Sequence, residues 1–234
     1  MNKFKITALF AISIFATTCS NDQMLRTRAN ELAQKFIITD GHIDTPWKLS
    51  KNYEDISVRT KTGDFDYVRA KEGGLDVPFM AIYIPSSYLE TGGAKEKADS
   101  LIDMVEQIAN KDPDKFEIAY SLSDANRIFK EGKVALPMGM ENGAGIEDDI
   151  KNLKHFYDRG IRYITLTHSK DNLICDSSYD EEEDTWGGLS PYGRKVVKEM
   201  NRLGIMVDIS HVTDEVINQV LDMTDVPVVA THSS

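Results

Sequence analysis

The sequence predicts an α/β fold, a parallel (β/α)8 TIM-type barrel in which about six of the eight βα units are present. Short apolar segments rich in β-branched residues alternate with amphipathic helices, which is typical of a parallel sheet covered by helices. Six such repeats follow one another in order. A doubly wound open sheet is the alternative, but no glycine-rich phosphate loop follows the first strand, which weakens its dinucleotide-binding version.

The elements follow a regular order. The first helix is predicted over 24–36, because Leu25, Leu32 and Phe36 recur at helical spacing. Strands are predicted at 36–44, 78–85, 134–142, 161–168, 204–211 and 226–233. Helices between them are predicted at 94–111, 123–133, 148–160, 190–204 and 213–223, with Ser123, Ser190 and Thr213 as N-caps. Residues 48–74 lack a clear period and are expected to form a long loop over the end of the first strand.

The first 19 residues are typical of an export signal. Lys3 and Lys5 precede an apolar run over 6–16, which is too short to span a bilayer as a mature helix. The run ends in Ala-Thr-Thr-Cys, which resembles a bacterial lipoprotein signal. We therefore expect Cys19 to be lipidated, with plain secretion or an uncleaved anchor as alternatives. Residues 20–234 are then the barrel domain, incomplete at its C-terminus, in a cell-envelope lipoprotein or a periplasmic or secreted protein.

Charge and cysteine content narrow the class further. With 27 basic and 38 acidic residues the net charge is −11, which argues against nucleic acid as a partner. The acidic run at 180–184 is expected to be a solvated loop. Only two cysteines occur, Cys19 and Cys175, so this is not a disulfide scaffold.

Polar residues end five of the predicted strands: His42-Ile43-Asp44, Glu141, His168, His211 and His232. Four of the five histidines lie there, and the fifth, His155, is expected to be structural or exposed. Barrel enzymes carry their chemistry at this face, and imidazole and carboxylate groups suit Zn²⁺, with Mn²⁺, Fe²⁺ or Co²⁺ as alternatives. Each residue alone has an ordinary structural interpretation, as a capping or hydrogen-bonded group. Together, five ionisable or imidazole groups at one face would be unfavourable in free energy unless bound ions compensated them.

Spacing indicates how two metals could be held. His42 and Asp44 are two residues apart on an extended segment, so their side chains leave the same face and can bind one ion. His211 and His232 come from neighbouring strands and could share a second ion. Glu141 has two oxygens and could bridge the pair.

At these positions the sequence resembles the membrane dipeptidase (renal dipeptidase) family of zinc metallopeptidases. The resemblance covers about 36–234 and is carried by DGHIDTP, by the run from Glu141 to His168, by GLSPYGRKVVKEMNRLGIMVDISHV and by PVVATHSS. Ile43 and Asn142 depart from residues common in the family without removing a ligand. The resemblance implies a metal-dependent hydrolase barrel with two zinc ions.

The resemblance also implies roles for the strand-end residues. His42, Asp44 and Glu141 correspond to the ligands of one zinc, and Glu141, His211 and His232 to those of the other. His168 corresponds to the histidine that polarises the substrate. A hydroxide bridging the metals would hydrolyse the peptide bond of a dipeptide.

Other functions stay open from the sequence. The chain could be another metal-dependent amidohydrolase, acting on cyclic amides or amino-acid derivatives, or a non-catalytic binding lipoprotein. The expected partners are small dipeptides and, through the lipid anchor, a membrane, and a homodimer stays open. The family's carboxylate-binding arginine and a catalytic aspartate lie beyond Ser234, so the 234-residue chain alone is expected to be inactive.

Overall fold

The computed structural model describes residues 22–232. The predicted signal segment 1–19, with Cys19, lies outside this range. Within it, strands are β1 (Ile38–Ile43), β2 (Leu75–Tyr83), β3 (Phe116–Ile118), β4 (Val134–Leu136), β5 (Met138–Glu141), β6 (Ile161–Thr165) and β7 (Met206–Asp208). Helices are α1 (22–35), α2 (Thr45–Lys51), α3 (Tyr67–Gly73), α4 (Tyr88–Thr91), α5 (Ala94–Lys111), α6 (Leu122–Lys130), α7 (Lys151–Asp158), α8 (Pro191–Leu203) and α9 (Asp214–Met223). A 3₁₀ helix spans Gly143–Ile146.

Five strands form one parallel sheet in the order β1-β2-β5-β6-β7. Each strand lies beside the next main-sheet strand along the chain, with no reversal of direction around the sheet. A doubly wound sheet would reverse at a switch point. The order therefore supports the predicted barrel type and excludes the open-sheet alternative.

The sheet is strongly curled. Residues 229–232 occupy the sixth position, yet a Cβ added to Gly41 of β1 would lie 3.0 Å from the Thr231 carbonyl oxygen. The rings of His42 and His232 are only 4.1 Å apart. In a flat sheet, strands one and six would be separated by roughly 20–25 Å, at about 4.8 Å per strand. Curling therefore brings the ends of the first and last strands to one mouth.

The core between sheet and helices is apolar, because the strands present large side chains outward to the helix layer. Met80, Ile82, Met140 and Ile164 are fully buried there, and α5 contributes Leu101 with its neighbours on the same face. The start of α8 matches the prediction, since Ser190 accepts a hydrogen bond from the Gly193 backbone N–H and Pro191 is the first helical residue. Thr213 likewise caps α9.

The prediction of residues 134–142 as one strand is wrong. Pro137 has no N–H and ends the first half, so β4 and β5 separate. Strand β4 pairs with β3, which the sequence pattern did not reveal, in a separate two-stranded sheet. Strand β5 joins the main sheet and carries Glu141 to its end.

A predicted loop, a predicted helix cap and the sixth predicted strand also differ in detail from the structure. Residues 48–74 are not an unstructured loop, because they contain the end of α2 and all of α3, whose N-cap Asp66 accepts from the Arg69 N–H. Helix α6 is capped by Ser121, not Ser123. The sixth strand is reduced to one parallel bridge between Asp208 and Val229, with two backbone hydrogen bonds beside it.

Three smaller expectations can be compared with the structure. Cys175 is buried and free, and Glu181, Glu182 and Glu183 are exposed as expected. Helix α1 forms where predicted, although Leu25 and Phe36 are largely exposed. Across 22–232, none of the helices has the length and apolar character needed to cross a bilayer.

Candidate metal centre

Glu141 is the hub of the candidate site. It ends β5, its side chain is 6% exposed, and the Nε2 atoms of four histidines surround its carboxylate. The distances to a Glu141 oxygen are 3.4 Å for His42, 3.6 Å for His168, 3.0 Å for His211 and 3.3 Å for His232. The structure thus brings together the strand-end residues that the sequence singled out.

Asp44 lies at the rim of the same site. Its Oδ1 is 3.6 Å from Nε2 of His42, and its side chain is half exposed. The two side chains reach one region because they are two residues apart at the end of β1. His155, expected to be structural or exposed, lies on α7 and hydrogen bonds Asp99 of α5 at 2.8 Å, away from the centre.

Two overlapping groups of ligand atoms share Glu141. One contains His42, Glu141 and His232, and the other contains Glu141, His168 and His211, with all ligand atoms of a group within 4.8 Å of one another. This grouping differs from the one that the family resemblance implies, which pairs His211 with His232 and leaves His168 unbound. The assignment of each histidine to a metal therefore stays a prediction.

The donor set fits divalent cations. Nε2 of His211 and Nε2 of His232 are 2.7 Å apart. Two imidazole nitrogens at this distance cannot both carry a proton, and two facing lone pairs repel unless a cation or a shared proton lies between them. Nitrogen ligands around a shared carboxylate suit zinc and other divalent transition metals.

The pKa values of Glu141 and His42 reflect their mutual contact. Burial raises the pKa of Glu141, but hydrogen bonds from His211, His232 and His42 outweigh it and hold that pKa well below its usual range. Burial lowers the pKa of His42, and the carboxylates of Asp44 and Glu141 outweigh it, raising that pKa to about 9. The raised pKa favours the protonated form of the His42 imidazole at neutral pH.

We expect the affinity for zinc to increase with pH. A histidine ligand must be deprotonated, so metal binding has to displace the proton from His42. Below its pKa of about 9, each unit of lower pH should weaken apparent affinity about tenfold for this one proton. Chelator-competition titrations between pH 6.5 and 9 measure this slope. An affinity that does not change over that interval would contradict the assigned role of His42.

His168 differs from the other histidines in its electrostatics. Burial is the largest influence on its pKa and lowers it, which favours the neutral form of the ring. Its ring packs against Tyr83 at 4.8 Å between centroids and is partly open to the mouth. A neutral imidazole in this place can donate one hydrogen bond to a substrate oxygen.

The loop between β6 and α8 positions two histidines through their backbones, which sequence reasoning did not foresee. The Ser177 hydroxyl donates to the His168 carbonyl oxygen at 2.5 Å, and the Ser178 N–H donates to that of His211 at 2.8 Å. His211 has a φ of 68°, a left-handed conformation that costs a non-glycine residue about 1–3 kcal/mol. The loop stabilises this strained backbone. Serines in a polar loop give no sequence signal for such a role.

Known dipeptidases are similar in sequence to this chain over the range that contains the candidate metal centre. The family described as "Membrane dipeptidase (Peptidase family M19)" matches residues 26–234. An uncharacterized dipeptidase of Schizosaccharomyces pombe is 34% identical over 222 residues, covering 88% of this chain and 54% of the relative. Dipeptidase 3 of Mus musculus is 30% identical, covering 92% of this chain and 44% of the relative. The chain thus spans about half the length of these curated relatives.

Solved structures show the same fold. The probable dipeptidase PvdM from Pseudomonas aeruginosa superposes with a TM-score of 0.81 at 27% identity, covering 90% of this chain and 56% of that one. Such dipeptidases are TIM-barrel-type proteins, so the predicted fold class is confirmed. The family match spans nearly the whole described chain and includes every residue of the centre. The chain belongs to the membrane dipeptidase family of peptidases.

Proposed function

We propose that the full protein is a binuclear zinc dipeptidase that hydrolyses the peptide bond of dipeptides. The observation that supports this most is the meeting of four imidazole Nε2 atoms with the Glu141 and Asp44 carboxylates at one mouth of the barrel. Family membership narrows the chemistry that such a centre performs to peptide hydrolysis.

Five residues would hold the ions. His42, Asp44 and Glu141 would bind one, Glu141, His211 and His232 the other, and other divalent transition metals could replace zinc. When bound, the ions supply Lewis acidity, which activates water and polarises the peptide carbonyl. Glu141 keeps its negative charge because its pKa is low, so it balances part of the positive charge of both ions.

His168 would orient and stabilise the substrate carbonyl. Its Nε2 faces the centre, 3.6 Å from Glu141, while its ring is held against Tyr83. Its pKa is lowered, which favours the neutral ring, and the single N–H of that form can donate a hydrogen bond to the oxygen on which negative charge develops. His168 is thus the catalytic residue that this chain contributes besides the metal ligands.

The proposed substrates are dipeptides. A metallo peptidase from Rhodobacter sphaeroides, similar in fold with a TM-score of 0.74 at 26% identity and covering 85% of this chain and 65% of that one, was crystallised with a phosphinate mimic of L-Ala-D-Ala. We propose that a D-residue on the C-terminal side is accepted here too. We also propose that the protein is exported and tethered to a membrane through lipidated Cys19. A homodimer is compatible with such a tether.

A hydrolysis screen of the full-length protein tests the proposal. With zinc present, L-Ala-D-Ala and other dipeptides are expected to be cleaved, whereas cyclic amides are not. Cleavage of cyclic amides alone would favour the amidohydrolase alternative. Binding of dipeptides without turnover would favour the non-catalytic lipoprotein.

A further inference from the structure

Two lysines meet at the ring of Trp47, close to the mouth that holds the candidate metal centre. Nζ of Lys51 lies 4.1 Å, and Nζ of Lys97 5.1 Å, from the centroid of the Trp47 ring. Lys51 ends α2 and Lys97 lies near the start of α5, so two separate helices bring these charges together. We name Trp47, Lys51 and Lys97 the lysine patch.

The positive charge of the lysine patch is not balanced by a carboxylate. Within 22–232, neither the Lys51 nor the Lys97 ammonium forms an ion pair or a hydrogen bond, and both have the Trp47 ring as their partner. Burial, and after it the charge of Lys51, lowers the pKa of Lys97. In a chain with a net charge of −11, such an unpaired cationic pair fits an anion from outside the chain.

A row of aromatic rings connects the lysine patch with the candidate metal centre. The Trp47 ring contacts the Tyr83 ring edge-on, at 5.2 Å between centroids, and the Tyr83 ring lies 4.8 Å from that of His168. Trp47 also follows Asp44 by three residues, at the start of α2. The patch therefore lies two ring contacts from the histidine that is proposed to meet the substrate carbonyl.

This separation suits a side chain of a bound dipeptide. One extended residue spans about 3.5 Å, and the side chain of aspartate or glutamate reaches further still. With the scissile carbonyl at His168, a carboxylate on such a side chain can reach the Trp47 ring. Because a lysine ammonium sits on a flexible four-carbon stem, both ammonium groups can turn toward that carboxylate. The patch is thus placed to bind a charged side chain rather than the peptide bond.

We propose that the lysine patch makes dipeptides with an acidic side chain the preferred substrates of this protein. This inference rests on the proposed function, since it names the substrate class of the same site. A carboxylate at the patch forms ion pairs with Lys51 and Lys97, which offset the repulsion between the two ammonium groups. The amide side chain of glutamine has nearly the same shape as glutamate but carries no charge, so it forgoes this attraction.

The test compares kcat/KM of the full-length protein, with zinc present, for dipeptides that differ only in glutamate or glutamine. L-Glu-D-Ala and L-Gln-D-Ala place the difference on the N-terminal residue, and L-Ala-D-Glu and L-Ala-D-Gln place it on the C-terminal residue. We expect glutamate to be preferred about 5–30-fold at one of the two positions, the effect of one or two such ion pairs. Added salt should lower this preference, because it screens exposed charges.

Substitutions connect the preference with the patch. Lys51→Met and Lys97→Met each remove one charge and should lower the glutamate-to-glutamine ratio of kcat/KM, and the double variant should bring that ratio near one. Lys51→Arg keeps the charge and should keep most of the preference. Lys48→Met is the matched control, because Lys48 lies on the same helix but already pairs with Asp64 at 3.1 Å. Its ratio should equal that of the wild type.

The outcomes separate this inference from the proposed function. Equal kcat/KM for glutamate and glutamine at both positions, or a preference that survives in the double variant, would overturn the lysine patch as a specificity site. An equal fall of the ratio in Lys48→Met and Lys51→Met would also overturn it, since general surface charge would then explain the effect. Failure of the wild-type protein to hydrolyse any dipeptide would instead overturn the proposed function, and this inference with it.

Discussion

Replacing Glu141 with glutamine is expected to lower occupancy of both metal sites together and to reduce dipeptide hydrolysis by on the order of 10³-fold or more. Glutamine keeps the size of the side chain but removes the buried charge that faces four imidazoles. Losing the Lewis acids forfeits several kcal/mol of transition-state stabilisation, and each 1.36 kcal/mol is about tenfold in rate. Elemental analysis and a dipeptide assay on the full-length variant measure both effects.

Asp76→Asn is the matched control for this replacement. Asp76 is also a buried acid, on the neighbouring strand β2, but its carboxylate accepts from the Ile38 N–H and lies near Lys71 rather than the histidines. Its pKa is raised by burial, so a neutral amide is a mild change there. Both metals and activity should persist in Asp76→Asn. Full metal occupancy in Glu141→Gln would refute its bridging role.

Replacing His168 with alanine is expected to leave both metals in place and to lower turnover by about 10²–10³-fold, the usual cost of losing one donor to a developing oxyanion. The lowered pKa of the ring and its position at the mouth favour this role. Metal content and kcat, measured on the same preparation, separate catalysis from ligation. His211→Ala should instead empty mainly one site.

His155→Ala provides a comparison for His168→Ala, because His155 bonds Asp99 on the helix layer, away from the centre. Its metal content and turnover should match the wild type. The structure places His168 in a potential ligand group with Glu141 and His211, so the opposite result is well defined. Loss of a metal in His168→Ala, with activity restored by excess zinc, would make His168 a ligand.

The strand-end residues could be predicted from sequence because each follows an apolar run directly. In a parallel barrel all such ends meet at one face, so placing His42, Glu141 and His211 at strand ends already placed them together. The order of strands followed from the alternation with helices. Side-chain distances and the grouping of histidines could not be obtained this way, since they depend on how far the sheet curls.

The contact between Tyr163 and His42, and the serine contacts of the loop between β6 and α8, were missed for a different reason. Tyr163 lies inside strand β6, where the segment itself does not mark it as a site residue. Nothing local indicates that the Tyr163 hydroxyl reaches His42, 121 residues away along the chain. Pro137, in contrast, was a visible signal that the segment 134–142 is two strands, because proline interrupts a central strand.

The most direct test of the binuclear centre is the metal content of the purified, metal-replete full-length protein, measured beside its hydrolysis of L-Ala-D-Ala before and after chelation. Two transition-metal ions per chain are expected, with hydrolysis lost on chelation and restored by added zinc. A content of none or one, or hydrolysis that continues unchanged after both ions are removed, would contradict a binuclear centre built on Glu141.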